Sequence, residues 1–96
     1  MEDIRAKFRV LSKKHTLEMI KHLMDGPLYI SQISNTLGIP YTTAQQRVVE
    51  LERAGLVRVE ATIDEASKRA VKIVNPVNFR LEISPRSIYN WLTEEE

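Results

Sequence analysis

The chain has 96 residues, of which 43% are hydrophobic and 6% aromatic, enough for the modest core of one small domain. It contains no cysteine, which excludes disulfides, thiolate metal ligands and a catalytic thiol, and this composition is compatible with a reducing cytosol. The formal net charge of +1 neither requires nor excludes a nucleic-acid partner, and because no apolar run suits a signal peptide or a membrane helix, we expect a cytoplasmic protein.

The first quarter of the chain is predicted to form two helices. Apolar residues at i, i+4 and i+7 predict a helix over 4–11, namely at Ile4, Phe8 and Leu11. Ser12 is the predicted N-cap of the second helix, which ends at Asp25-Gly26-Pro27. The apolar positions of this second helix are Leu17, Ile20, Leu23 and Met24. A short extended piece, 28–30, follows.

The stretch from Ser31 to Val57 predicts a helix, a tight turn and a second helix. Ser31 is the predicted N-cap of the first helix, and Gly38 supplies the permissive backbone at its end. The second helix, 41–54, has an apolar stripe at i, i+4 and i+7, formed by Ala44, Val48 and Leu51. Two helices joined by such a short turn form a helix-turn-helix, here over 31–54, whose second helix can enter the major groove of DNA.

After Gly55 the apolar period changes from helical to alternating, which predicts a hairpin over 56–75. Its first strand directs inward Val57, Val59 and Ala61. Its second strand directs inward Val71 and Ile73. The polar residues 64–68 join the two strands.

The C-terminal part, 77–93, is predicted to hold one more strand and a helix. Alternation predicts the strand, with one buried face formed by Val77, Phe79, Leu81 and Ile83. Ser84 and Pro85 suit the N-cap and first position of the final helix. The predicted class is therefore α+β and mainly helical, a single domain over 1–96 with a helix-turn-helix, a hairpin wing, an extra C-terminal strand and a C-terminal helix.

Residues 15–57 resemble the winged helix-turn-helix transcription regulators, most of all the ArsR-type group as it occurs in archaea. The resemblance rests on the segment GPLY at 26–29, the turn Leu37-Gly38-Ile39 and the pattern VxxLExAGLV at 48–57. It implies a DNA-binding repressor or activator that works as a homodimer. The chain lacks the cysteine pair and the final-helix carboxylate and histidine ligands of the metal sensors, so we expect no metal and no cofactor.

The helix at 41–54 supplies the predicted contacts to double-stranded DNA. With the apolar stripe buried, 100° per residue turns Thr42, Gln46, Val49 and Arg53 outward, with Thr43 and Gln45 on the flanks. Gln45 and Gln46 are the best candidates for base contacts, since glutamine forms paired hydrogen bonds with adenine. Further candidates, which contact the phosphate backbone or have mixed roles, are Tyr41, Arg47, Lys68 and Arg69.

The wing and the chain ends carry two further expectations. Asp64 and Glu65 put acids at the wing tip, where they would oppose phosphate. The terminal helices are amphipathic and are predicted to form the dimer through Ile4, Phe8, Leu11, Ile88, Trp91 and Leu92. A two-fold dimer matches the two half-sites of a palindromic operator. Completion of the domain's own core is the alternative role of these helices.

Other classes of function have less support in the sequence. His15, Glu18 and His22 share one helix face, but three ligands spread over two turns rarely converge on a metal. No nucleophile motif, glycine-rich phosphate loop or paired carboxylates occur, so we expect no enzyme. No spacing defines a pocket for a small-molecule effector. The alternative hypothesis is a winged-helix protein-protein interaction module without sequence-specific DNA binding.

Overall fold

The computed structural model describes residues 4–94 and is α+β, with five helices and a three-stranded antiparallel sheet in that range. In chain order the elements are α1 (Ile4–Leu11), α2 (Thr16–Leu23), β1 (Leu28–Tyr29), α3 (Ile30–Leu37), α4 (Tyr41–Arg53), β2 (Val57–Ile63), β3 (Ala70–Pro76) and α5 (Pro85–Glu94). This order confirms the predicted winged helix-turn-helix class. Over the same range, no helix combines the length and apolar content needed to cross a bilayer.

One hydrophobic core joins the first four helices to the base of the sheet. Every buried apolar residue of the described chain belongs to it: Val10, Met19, Leu23, Ile30, Ile33, Ala44, Val48, Leu51, Ala54, Leu56, Val57 and Val74. Because the first four helices share this cluster, burial of apolar area is the main force that holds α4 in place.

The helix α2 begins later and faces the core differently than predicted. Ser12 is not its N-cap: the Ser12 hydroxyl donates to the carbonyl of Arg9 at the end of α1. The chain instead enters α2 through His15, which has a left-handed backbone with φ of 80°. The buried residues are Thr16, Met19 and Leu23, whereas two predicted apolar positions, Leu17 and Met24, are 60% and 74% exposed.

The helix α3 begins one residue before the predicted cap. Its first residue is Ile30, so Ser31 lies inside the first turn and is not the N-cap. The N–H of Tyr29 donates to the side-chain oxygen of Gln32 across this turn at 2.8 Å. The helix ends as predicted at Gly38, whose left-handed φ of 65° lets the N–H of Ile39 donate to the carbonyl of Ser34.

The sheet has the order β1-β3-β2, with β3 in the centre. Val59 pairs with Val74 near the core end of the hairpin, and Thr62 pairs with Val71 toward its tip. The hairpin extends beyond the core, so Ala61, which was predicted to face inward, is exposed. The outer half of the hairpin therefore projects from the domain as a wing.

The predicted extra strand is wrong, because the segment 77–83 forms no ladder. Both sides of β3 are already paired, with β1 and with β2, and Pro76 supplies no N–H to extend the sheet. The alternation was nevertheless informative: Val77, Phe79 and Leu81 are half-buried, although Ile83 is 64% exposed. Ser84 then accepts a hydrogen bond from the N–H of Ser87 and caps α5, as predicted.

Replacing Gly38 by alanine tests the turn between α3 and α4. A Cβ at this position meets no atom within 4 Å, so the cost comes from the left-handed backbone alone. We expect the free energy of unfolding to fall by about 1 kcal/mol in a denaturant titration. Asparagine, which tolerates this conformation better, should lower it less, and an alanine variant as stable as the wild type would contradict the turn geometry.

Candidate nucleic-acid interface

The inner face of α4 is buried in the core. Ala44 and Leu51 have no exposed surface and Val48 is 1% exposed. In a helix with 3.6 residues per turn, burial of these three side chains fixes the rotation of α4 about its axis. The opposite face is therefore presented to solvent.

The outer face of α4 carries the predicted DNA contacts in an open groove. Thr42, Gln46 and Arg53 are exposed, and Thr43 and Gln45 are half-buried on its flanks. Val49, also predicted to point outward, lies on this face and is half-buried. The groove is lined by Thr42, Gln45, Gln46, Val49, Glu50 and Arg53.

The N-terminus of α4 is open to solvent on the same side. Pro40 occupies the N-cap position, and no side chain caps the helix. The first bond of the helix runs from the N–H of Ala44 to the carbonyl of Pro40 at 3.0 Å. Tyr41 is 48% exposed, so it does not close the core. The first turn thus offers backbone N–H groups beside the hydroxyls of Thr42 and Thr43.

Glu50 anchors α4 to the connection between α1 and α2. Its carboxylate pairs with the ammonium of Lys13 and, at 2.7 Å, with the guanidinium of Arg47. Arg47 also donates through Nε to the carbonyl of Lys14 at 3.3 Å. Desolvation opposes ionisation of Glu50, but the hydrogen bonds from Lys13 and Arg47 outweigh it and lower its pKa. Arg47, a predicted DNA contact, is therefore bound within the fold by the carboxylate of Glu50 and the carbonyl of Lys14.

A second depression, of about 450 Å³, lies between α4 and the wing. It brings Tyr41 and Gln45 of α4 together with Arg69 of the wing. It also contains Lys72, which the sequence analysis missed. The prediction that Val71 and Ile73 face inward was wrong: Val74 is buried, and Lys72, two residues away, shares its sheet face.

The wing tip holds the other predicted basic contact, Lys68. Its backbone is left-handed, with φ of 58°, and its ammonium lies 3.4 Å from the carboxylate of Glu65. Asp64, expected to oppose phosphate, instead accepts hydrogen bonds from the N–H of Ser67 and from the hydroxyl of Tyr29. Only Glu65 of the two acids projects freely into solvent, with a side chain that is 94% exposed.

The two terminal helices meet through Phe8 and Trp91, whose ring centroids are 6.0 Å apart at a tilt of 57°. Ile4 and Leu11 of α1 are half-buried. The helix α5 buries none of its residues, and Ile88 and Leu92 remain 41% and 42% exposed. Of the six predicted dimer residues, Phe8 and Trp91 thus contact each other within the chain, and Ile88 and Leu92 are exposed beside them.

His15 and His22, at and within α2, do not assemble a metal centre with their neighbours in the described residues. Within residues 4–94, no group of three or more His, Cys, Asp or Glu side chains is close enough to hold a metal ion. His15 forms the left-handed turn before α2.

This arrangement of helix-turn-helix, hairpin wing and terminal helices is an ArsR-like winged-helix fold. The structure is similar to that of an ArsR family transcriptional regulator, with a TM-score of 0.64 and 17% identity over 96% of this chain and 90% of that one. It is also similar to a possible transcriptional regulator from Methanosarcina mazei Go1, with a TM-score of 0.59, 18% identity and coverage of 92% and 70%.

A MarR protein from Peptoclostridium difficile shares the fold more distantly. Its TM-score is 0.56 at 20% identity, and the match covers 97% of this chain but 56% of the longer MarR chain. Neither a protein-family model nor a curated protein matches the sequence. At these identities the likeness establishes the fold.

Replacing Glu50 by glutamine tests the link between α4 and the α1–α2 connection. Because the folded-state pKa of Glu50 is lowered, its contribution is complete above the unfolded-state value and is lost as the pH falls through the folded-state value. We expect the variant to be less stable by about 1 kcal/mol at pH 7, and the difference should shrink below about pH 4.5. The control is Glu52→Gln, an exposed residue of the same helix; a pH-independent difference for Glu50→Gln would contradict the ion-pair account.

Proposed function

We propose that this protein is a sequence-specific, double-stranded DNA-binding transcriptional regulator, with residues 41–54 as its recognition helix in the major groove. The observation that carries the proposal is the placement of Gln45, which borders both the outer groove of α4 and the depression beside the wing. A helix of 13 residues, about 20 Å long, that projects amide and hydroxyl groups beside a wing suits insertion into a major groove about 12 Å wide.

The chemistry of the outer face supports base contacts. Glutamine side chains pair with the N6 and N7 edge of adenine, so Gln45 and Gln46 are suited to base recognition. Threonine offers a hydroxyl to phosphate or base and a methyl to the methyl of thymine, which suits Thr42 and Thr43. Val49, which lines the groove, adds an apolar surface of the kind that contacts thymine methyls.

Basic side chains on the same side provide the phosphate contacts. Arg53 lies at the C-terminal end of α4, and Lys68, Arg69 and Lys72 belong to the wing and β3. The net charge of the chain is only +1, so one copy neutralises few phosphates and is expected to bind DNA weakly. Arg47 remains a candidate contact only if DNA replaces its partner Glu50, and we assign it to positioning of α4.

Two copies on a palindromic operator would double the phosphate contacts, and we propose that the chain is a homodimer. The surface formed by α1 and α5 supports this, since α5 buries no residue and leaves Ile88 and Leu92 exposed beside the Phe8 and Trp91 contact. A two-fold axis there would present one recognition helix to each half-site. We further propose that the protein acts in the cytoplasm and catalyses no reaction.

Selection of bound sequences from a pool of random duplexes tests the function. We expect the wild type to enrich a palindromic site, and Gln45→Ala with Gln46→Ala to lower the ratio of specific to nonspecific affinity by about tenfold or more. The control is Asn90→Ala, which removes an exposed amide from α5. Failure of the wild type to enrich any site at low salt would favour the protein-protein interaction module.

Sedimentation velocity of the full chain at micromolar concentration tests the dimer. We expect a dimer for the wild type and a monomer for Ile88→Ser with Leu92→Ser. The matched control is Leu17→Ser with Met24→Ser, which removes two apolar side chains that are still more exposed, one in α2 and one just after it. A monomeric wild type, or a dimer that only the α2 variant dissociates, would exclude the proposed interface.

A further inference from the structure

The turn at the wing tip is built around one residue, Asp64. Its N–H donates to the carbonyl of Arg69 at 2.9 Å, and its carbonyl accepts the N–H of Lys68 at 2.7 Å. One carboxylate oxygen accepts the N–H of Ser67 at 2.9 Å, and the other accepts the hydroxyl of Tyr29 at 3.3 Å. Four hydrogen bonds therefore converge on a single side chain and its own peptide groups.

The bond to Tyr29 connects the wing to the helix-turn-helix. Tyr29 is 35 residues earlier in the chain, pairs with Ile73 of β3 and immediately precedes α3. Its N–H is held by the side chain of Gln32 in the first turn of α3. The Tyr29 hydroxyl thus links the wing tip to the element that packs against the recognition helix.

The titration behaviour of the two groups agrees with this contact. Hydrogen bonds from Ser67 lower the pKa of Asp64, and the hydroxyl of Tyr29 adds to this effect. Desolvation raises the pKa of Tyr29, and the charge of Asp64 raises it further. At neutral pH the pair is therefore a phenol that donates to a carboxylate.

The consequence for the wing is a fixed backbone position for its two basic residues. Lys68 has the left-handed backbone that the turn requires, and Arg69 follows it at the entrance to the depression shared with Tyr41 and Gln45. Glu65, one residue beyond Asp64, takes no part in the turn's backbone hydrogen bonds and pairs only with Lys68 among the residues described.

We propose that Asp64 is a positioning residue for DNA binding, which holds the wing turn on Tyr29 and so places Lys68 and Arg69 toward the phosphates that flank the major groove. This inference rests on the proposed function. An acid at a wing tip is expected to oppose DNA binding, so by charge alone its removal should strengthen binding. The positioning role predicts the opposite, because removal of Asp64 releases the wing turn and weakens binding.

The two adjacent acids provide a matched test, with fluorescence anisotropy on a labelled duplex of mixed sequence across a salt series. Asp64→Ala and Glu65→Ala remove the same charge from neighbouring positions, and only the first removes the turn's hydrogen bonds. We expect Asp64→Ala to weaken binding by about threefold to tenfold, the effect of one hydrogen-bonded link, and to reduce the salt slope by about 1. Glu65→Ala should bind as tightly as the wild type or more tightly.

Two further variants separate positioning from charge and from general stability. Asp64→Asn removes the charge and keeps one acceptor oxygen, enough for Ser67 but not for Tyr29 as well, so it should weaken binding less than Asp64→Ala. Tyr29→Phe changes no charge and should weaken binding by about twofold to fivefold. Thermal unfolding of each variant checks that the core, which contains neither residue, is intact.

The outcomes distinguish the inference from the function on which it rests. Absence of saturable duplex binding by the wild type would overturn both. Wild-type binding with equal or tighter binding by Asp64→Ala would overturn the positioning role alone. Wild-type affinity in Tyr29→Phe would also overturn it, because the bond between Tyr29 and Asp64 would then have no part in positioning the wing.

Discussion

Burial of Ala44, Val48 and Leu51 is the interaction on which the rest of the molecule depends. These side chains lock α4 into the core shared by α1, α2, α3 and the base of the sheet. The rotation that buries them places the threonine and glutamine side chains of the opposite face at the surface. Loss of this packing would therefore destroy both the fold and the candidate interface.

The two halves of the wing are held by different kinds of interaction. Its inner half is held by apolar contacts, since Val57 and Val74 are buried in the core. Its outer half extends past the core and is held by ladder hydrogen bonds and by the contacts of Asp64. Such a segment, with few buried apolar contacts, depends on polar interactions for its direction. The carboxylate of Asp64 therefore helps to fix the position of Arg69.

The sequence analysis succeeded where apolar periodicity decides the structure. It predicted the bounds of α1, the turn at Gly38, the stripe of α4 and the position of the hairpin, because each depends on local spacing or on one residue type. It was wrong about the inner faces of α2 and of the second hairpin strand, where Leu17 is exposed and Val74 is the buried residue. It failed where distant residues decide. The pairing of β1 with β3 and the contact of Asp64 with Tyr29 join residues far apart in sequence.

Contact between the outer face of α4 and duplex DNA can be observed by an NMR titration of the ¹⁵N-labelled protein with a duplex at low salt. We expect saturable shifts of the backbone amides of 42–49, of the side-chain amides of Gln45 and Gln46, and of the wing amides of 68–72. Unchanged spectra, or shifts confined to the exposed apolar residues of α2 and α5, would contradict it.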